Sequence, residues 1–275
     1  MKFLLLATAL ATAVFAKVPE WHAHYRMNTA EYQSTFDHYL SQGFKVNSVS
    51  GYQRDGEANY AAIFEKNEAG VAWWSHTRMT AAAYQQKFDK YVADGYRLRQ
   101  VNGYNVGGET YYAAIWDKTA SGPWVARHGM DEAGLKKYFE QYVNKEGYRL
   151  VHASGYEVKG EARYAAIWEK TGEEDVAWAS WVDMSADGLQ KRFDEYLEDG
   201  YRLTDVNGYT VKDTVYYAGV WDNSTSGAWE ARSGMDSPGF QKNFDKFKAD
   251  GYVIDVLSGY DTPSGDRYAA IWSKH

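Results

Sequence analysis

The chain has 275 residues, no cysteine, and 30 basic against 37 acidic residues, a formal charge of −7. An acidic surface repels phosphate backbones, so nucleic acid is not an expected partner, and disulfides and a cysteine nucleophile are excluded outright. A chain of this length buries about three quarters of its unfolded surface, so a core can suffice without covalent help.

The first sixteen residues, "MKFLLLATALATAVFA", place a basic Lys2 before an apolar run from Phe3 to Phe15. Small residues Val14 and Ala16 precede a plausible cut, the pattern of a secretory signal peptide. The run falls short of the ~20 residues that span a bilayer. Residues 1–16 are therefore expected to be a leader and 17–275 one secreted, extracellular domain. Losing Lys2 takes the charge from −7 to −8.

The rest of the chain repeats. Met27, Met79, Met130, Met184 and Met235 recur at steps of 51 to 54, and Gly51, Gly103, Gly155, Gly208 and Gly259 keep step with them. Such a period marks tandem structural units, with bounds near 19–70, 71–122, 123–175, 176–227 and 228–275. Each unit reads as four pieces in chain order. The first is a strand opened by Trp21, Trp73, Trp124, Trp178 or Trp229; in "WHAHYRM", Trp21, Ala23, Tyr25 and Met27 alternate with His22, His24 and Arg26. The second is a helix. Asn28, Thr80, Asp131, Ser185 and Asp236 stand as N-caps, aromatic residues such as Tyr84, Phe88 and Tyr91 follow at helical spacing, and Gly43, Gly95, Gly147, Gly200 and Gly251 close it.

The third piece, as in "GYRLRQVNGY", is a strand whose alternation breaks between Leu98 and Val101. That break predicts a bulge, with Gly103 placed to allow it. The fourth piece is the word "YAAIW" and its variants, apolar on both faces and so a strand covered on both sides. Short connections such as "NVGGET" and "TASGP" predict two hairpins: third with fourth piece, and fourth piece with the next unit's first strand. On that pairing the N-terminal strand completes the last sheet beside the C-terminal strand. The expected fold is thus α+β, five βαββ repeats of about 52 residues closed into a propeller-like toroid. An open solenoid is the alternative, although no polar capping unit of the kind solenoids need is evident.

Nine of the eleven tryptophans occupy two repeated slots, the strand openers and Trp116, Trp168, Trp221 and Trp272, with Phe64 in the tenth place. Repetition at that density reads as core. The Ser50, Asn102, Ser154, Asn207, Ser258 alternation reads as side chains bonding backbone at a bend. The polar face of the first strands varies more: His22 and His24, Trp74 and His76, Arg127, Trp181, Glu230 and Arg232. Collected on one axis or rim, these imidazole, indole and charged groups would form a binding site, with Trp74 and Trp181 as stacking faces. His22, His24 and His76 do not recur as a ligand set, so no metal or other cofactor is expected. Catalytic signatures, including Gly-x-Ser-x-Gly, His-Glu-x-x-His and Ser-x-x-Lys, are missing. The carboxylates Glu173, Glu174 and Asp175 read as a solvated loop. Asn223 opens a sequon for glycosylation on a eukaryotic secretory route.

The repeated "W-x-x-R/H-x-x-M", "GYR" and "GY…YAAIWEK" resemble the family called bacterial tandem repeat domain 1, which also forms the N-terminal portion of fungal polyglycine hydrolases. In those hydrolases catalysis belongs to a following domain similar to serine β-lactamases, with a Ser-x-x-Lys nucleophile. The resemblance spans about Trp21 to His275. It implies a repeat architecture and secretion, and it transfers no catalytic residue or ligand. The leading expectation is a secreted, monomeric, non-catalytic module without a membrane span that binds an extracellular glycan or protein. The alternatives are a hydrolase assembled between units, using His24, His76 and a carboxylate, and an accessory or inhibitory partner of another secreted enzyme.

Overall fold

The computed structural model describes residues 19–172 and 176–274. The expected leader (residues 1–16), residues 17–18, the Glu173–Glu174–Asp175 triplet and the terminal His275 lie outside them. Unit one runs β1 (Trp21–Asn28), α1 (Thr29–Ser41), β2 (Phe44–Arg54) and β3 (Glu57–Lys66). Unit two repeats this as β4 (Trp73–Met79), α2 (Ala81–Ala93), β5 (Arg97–Val106) and β6 (Glu109–Asp117). Unit three is β7 (Trp124–Met130), α3 (Glu132–Phe139) with a π-helical turn over Glu140–Lys145, β8 (Arg149–Val158) and β9 (Glu161–Glu169). Unit four is β10 (Trp178–Met184), α4 (Ala186–Glu198), β11 (Arg202–Val211) and β12 (Thr214–Asp222). Unit five is β13 (Trp229–Met235), α5 (Ser237–Ala249), β14 (Val253–Tyr260) and β15 (Arg267–Ser273).

The capping residues do what their chemistry dictates. Asn28, Thr80, Asp131, Ser185 and Asp236 each accept a first-turn amide, and Asn28 forms a reciprocal capping box with Glu31. The closing glycines are left-handed, as at Gly95 (φ 80°). Unit three has sixteen steps from Asp131 to Gly147 where the others have fifteen, and the π turn absorbs the extra residue.

Strand order departs from the expectation. Each unit forms its own three-stranded antiparallel sheet, in the order β1-β3-β2 and its equivalents. The fourth piece is central, as its two apolar faces require. Its second partner, however, is the first strand of its own unit. The N-terminal strand therefore does not pair with the C-terminal one: β1 bonds β3, and β15 lies between β13 and β14. Linkers such as "TASGP" pass from one sheet to the next. The expected bulge in the third piece is present, between Leu98 and Gln100 in unit two.

Helices fill the spaces between sheets. The aromatic stripe of α1 (Tyr32, Phe36, Tyr39) packs on its own sheet and on Ala113, Ile115 and Trp73 of unit two. The same core recurs between units two and three, three and four, and four and five. A fifth core joins units five and one, where Phe240 and Phe247 of α5 meet Ala61, Ile63, Trp21, Ala23 and Tyr25. Each opening tryptophan meets the preceding helix, Trp73 on Phe36 at 5.9 Å and Trp21 on Phe244 at 5.6 Å. Trp116, Trp168, Trp221 and Trp272 are wholly buried, and their indole N–H groups meet no hydrogen-bond acceptor. Phe64 does the same work in unit one without an N–H, so that slot is packing alone.

The glycines beside the bulge serve a close approach. A Cβ on Gly103 would lie 2.3 Å from the ring of Tyr156 in the next unit. Gly51 meets Tyr104, Gly155 meets Tyr209, Gly208 meets Tyr260, and Gly259 meets Tyr52 of unit one in the same way. Alongside runs a chain of hydrogen bonds between units. The Gly51 N–H donates to Asn102 Oδ1 (2.7 Å), Gly103 to Ser154 Oγ (3.1 Å) and Gly155 to Asn207 Oδ1 (2.8 Å). Gly208 donates to Ser258 Oγ (3.1 Å), and Gly259 to Ser50 Oγ (3.0 Å). The Ser/Asn alternation thus ties neighbouring units together; it does not satisfy a local bend.

Candidate functional site

The polar residues of the first strands sit at a recurring station. In every unit the third residue before the methionine lies over the helix residue fifteen positions on. His24 shares a hydrogen bond with Tyr39 Oη (2.9 Å), and His76 one with Tyr91 Oη (2.7 Å). Arg127 donates to Tyr142 Oη, the Trp181 indole N–H donates to Tyr196 Oη (2.8 Å), and the Arg232 guanidinium lies over Phe247. His22 stacks on Tyr39 and reaches Glu20 at 3.3 Å, while Glu230 pairs with Arg232 at 2.9 Å.

The structure therefore brings together His22 with His24, Trp74 with His76, and Glu230 with Arg232. Among the described residues no contact joins one unit's set to another's. Each set sits on an edge strand of its own sheet, while the strands that approach one another between units are β2, β5, β8, β11 and β14. His24 and His76, the imidazoles of the hydrolase alternative, occupy separate units on separate tyrosines. Among the described residues no three His, Asp or Glu side chains gather to hold a metal, and no helix is long and apolar enough to cross a membrane. Asn223 is exposed, and its Oδ1 accepts from the Ala177 N–H (2.9 Å).

The station in unit two differs from the rest. Trp74 is 44% exposed and lies nearly parallel to Tyr91 (5.4 Å, 12°) and to His76 (6.2 Å, 9°). Burial, with Lys87 adding to it, pulls the His76 imidazole down to about 4, so the ring is neutral at physiological pH. Trp181 is 41% exposed, yet the Arg192 guanidinium lies 3.9 Å from its ring centre and covers one face. Beside Trp74 runs a groove of about 440 Å³, with β4 residues 73–77 on one side and Tyr32, Gln33, Phe36 and Leu40 of α1 on the other.

Two features escaped the sequence reading. One is this groove, whose signal is the residue two places before each methionine: Tyr25, Thr77, His128, Val182 and Ser233. The other is a buried pair between units three and four. His152 Nδ1 lies 3.0 Å from Asp205 Oδ2, and its Nε2 meets the Val101 carbonyl at 2.8 Å. Burial opposes the His152 charge, but Asp205 and the carbonyl outweigh it, so its pKa is raised.

The polyglycine hydrolase-like structural repeat matches the chain five times, at residues 18–67, 70–119, 121–171, 175–224 and 226–275. The chain belongs to that family. A comparison with curated proteins finds no match.

Proposed function

Starting from membership in a family of structural repeats, we propose that the protein is a secreted, non-catalytic module that binds a glycan outside the cell. The single observation that carries this reading is Trp74. Its indole is exposed, flat and braced from behind by Tyr91 and His76, and such a rigid aromatic face at low entropic cost suits the apolar face of a sugar ring. The reading includes closure of the five units into a propeller-like toroid. Its support is the count of interfaces: an open stack of five units has four shared cores, and here a fifth core lies between units five and one. Export rests on the leader, residues 1–16, and glycosylation on the exposed Asn223.

The test is titration of the secreted protein against a panel of immobilised glycans and candidate extracellular proteins. Trp74→Ala is expected to lose at least tenfold in glycan affinity with the fold intact. Trp181→Ala, whose ring is partly covered, is expected to change it less. Binding confined to a protein partner, or unaffected by Trp74→Ala, contradicts the reading.

A further inference from the structure

The groove beside Trp74 is one of five equivalent positions, and the chain has filled three of them. Between units five and one, Tyr25 lodges edge-on against Phe240 (4.8 Å) and Tyr268 (5.2 Å), and its hydroxyl donates to Gln241 Oε1 (2.9 Å). Between units two and three, His128 packs edge-on against Tyr84 (4.6 Å) and Tyr112 (5.3 Å). Between units three and four, Val182 joins the core. The remaining two interfaces carry small hydroxyl residues there, Thr77 and Ser233, and both open into grooves, of about 440 and 320 Å³.

The two open grooves differ in chemistry. The one at Ser233 is walled by Leu189, Leu203 and Val206 and carries the charged Arg232. The one at Thr77 offers the aromatic faces of Tyr32, Phe36 and Trp73, with the Gln33 amide and the Ser75 and Thr77 hydroxyls among them. His76 is its sole titratable nitrogen group, and it is neutral at physiological pH. A lining of ring faces and neutral donors and acceptors matches an uncharged ligand that is apolar on its faces and hydroxylated at its edges.

We propose that the groove between α1 and β4 is a subsite for one pyranose ring of an uncharged oligosaccharide, and that Thr77 holds it open. The inference rests on the glycan reading above and adds a second contact to the Trp74 face on the same strand. Residue 77 then acts as the switch between a packed interface and a binding one. A tyrosine there reproduces the interface that Tyr25 forms, because Gln33 and Tyr32 stand where Gln241 and Phe240 stand.

The experiment titrates the mature chain, Thr77→Tyr and Trp74→Ala by calorimetry with uncharged four- to six-sugar oligosaccharides of the glucan, xylan and chitin series. The expected result is binding by the wild type and at least a tenfold loss in each variant. Thr77→Tyr should retain the wild-type circular dichroism, since the chain already uses that packing; Thr77→Val, which fills less, should lose less and serves if the tyrosine variant misfolds. Equal binding by wild type and the Thr77 variants overturns the groove and leaves the Trp74 reading standing. Loss in the Thr77 variants with no loss in Trp74→Ala supports the groove and removes the platform. No oligosaccharide binding by the wild type overturns both.

Discussion

Replacing Gly259 by alanine probes the contact between the two ends of the chain. The new Cβ would lie 2.6 and 2.7 Å from ring carbons of Tyr52, where carbon pairs prefer about 3.5–4.0 Å. The Tyr52 ring is buried among α5 and β15 residues and its hydroxyl meets Tyr268 Oη at 2.8 Å, so it has little room to retreat. Overpacking of this kind costs roughly 1–3 kcal/mol. The backbone at Gly259 is not left-handed, so alanine regains about 0.4–1 kcal/mol through the unfolded chain. The net is a loss centred on ~1.3 kcal/mol, which at ~2–4 °C per kcal/mol for a chain of this size lowers Tm by roughly 3–5 °C. Gly103→Ala, which meets Tyr156 at 2.3 Å inside the array, is the internal standard. Differential scanning calorimetry should show comparable losses, and Tyr52→Leu should suppress the effect at Gly259 but not at Gly103. A Gly259→Ala protein as stable as wild type, beside a destabilised Gly103→Ala, would rule out the close approach of Tyr52 to Gly259.

Trp168→Ala should cost about 3–5 kcal/mol in denaturant melts, while Trp168→Phe, the solution unit one uses at Phe64, should cost considerably less. Arg78 has φ 52° at a position where units three and five place Gly129 and Gly234; Arg78→Gly should raise stability by about 0.5–1 kcal/mol, the left-handed penalty less the glycine entropy. The pKa of His76 falls from 6.5 to about 4 on folding, so the unfolded chain takes up the proton first. Its contribution is present above pH 6.5 and lost as pH falls toward 4. Wild type should therefore lose more Tm than His76→Gln across that window. His152, raised by Asp205, has the opposite sign: its contribution is lost as pH rises through its folded value.

The five-fold repeat was legible from its recurring Met and Gly residues, and the caps and closing glycines because each answers to local chemistry: an oxygen for free amides, a residue that tolerates φ near +80°. So was the central position of the "YAAIW" strand, whose two apolar faces need cover. Its outer partner was not. A short linker such as "TASGP" fits a hairpin and a step to the next sheet equally well, and the hydrogen bonds between β4 and β6 span a helix and a strand. The expectation put each first strand in the preceding unit's sheet instead of its own. The partner of His24 or Trp181 was readable in retrospect as an aromatic residue fifteen positions on. The role of Gly103 needed the neighbouring Tyr156, which no single-unit reading supplies.

Unit five packs on unit one through the same kind of aromatic core that joins the other neighbours. The absence of cysteine makes paired spin labels the direct measurement, with Glu57→Cys and Ser264→Cys across the two ends and Glu161→Cys and Thr214→Cys as the internal pair. With unit five seated on unit one, the end pair should give one narrow distance, as short as the internal one. A broad or much longer distribution for the end pair alone would contradict that seating.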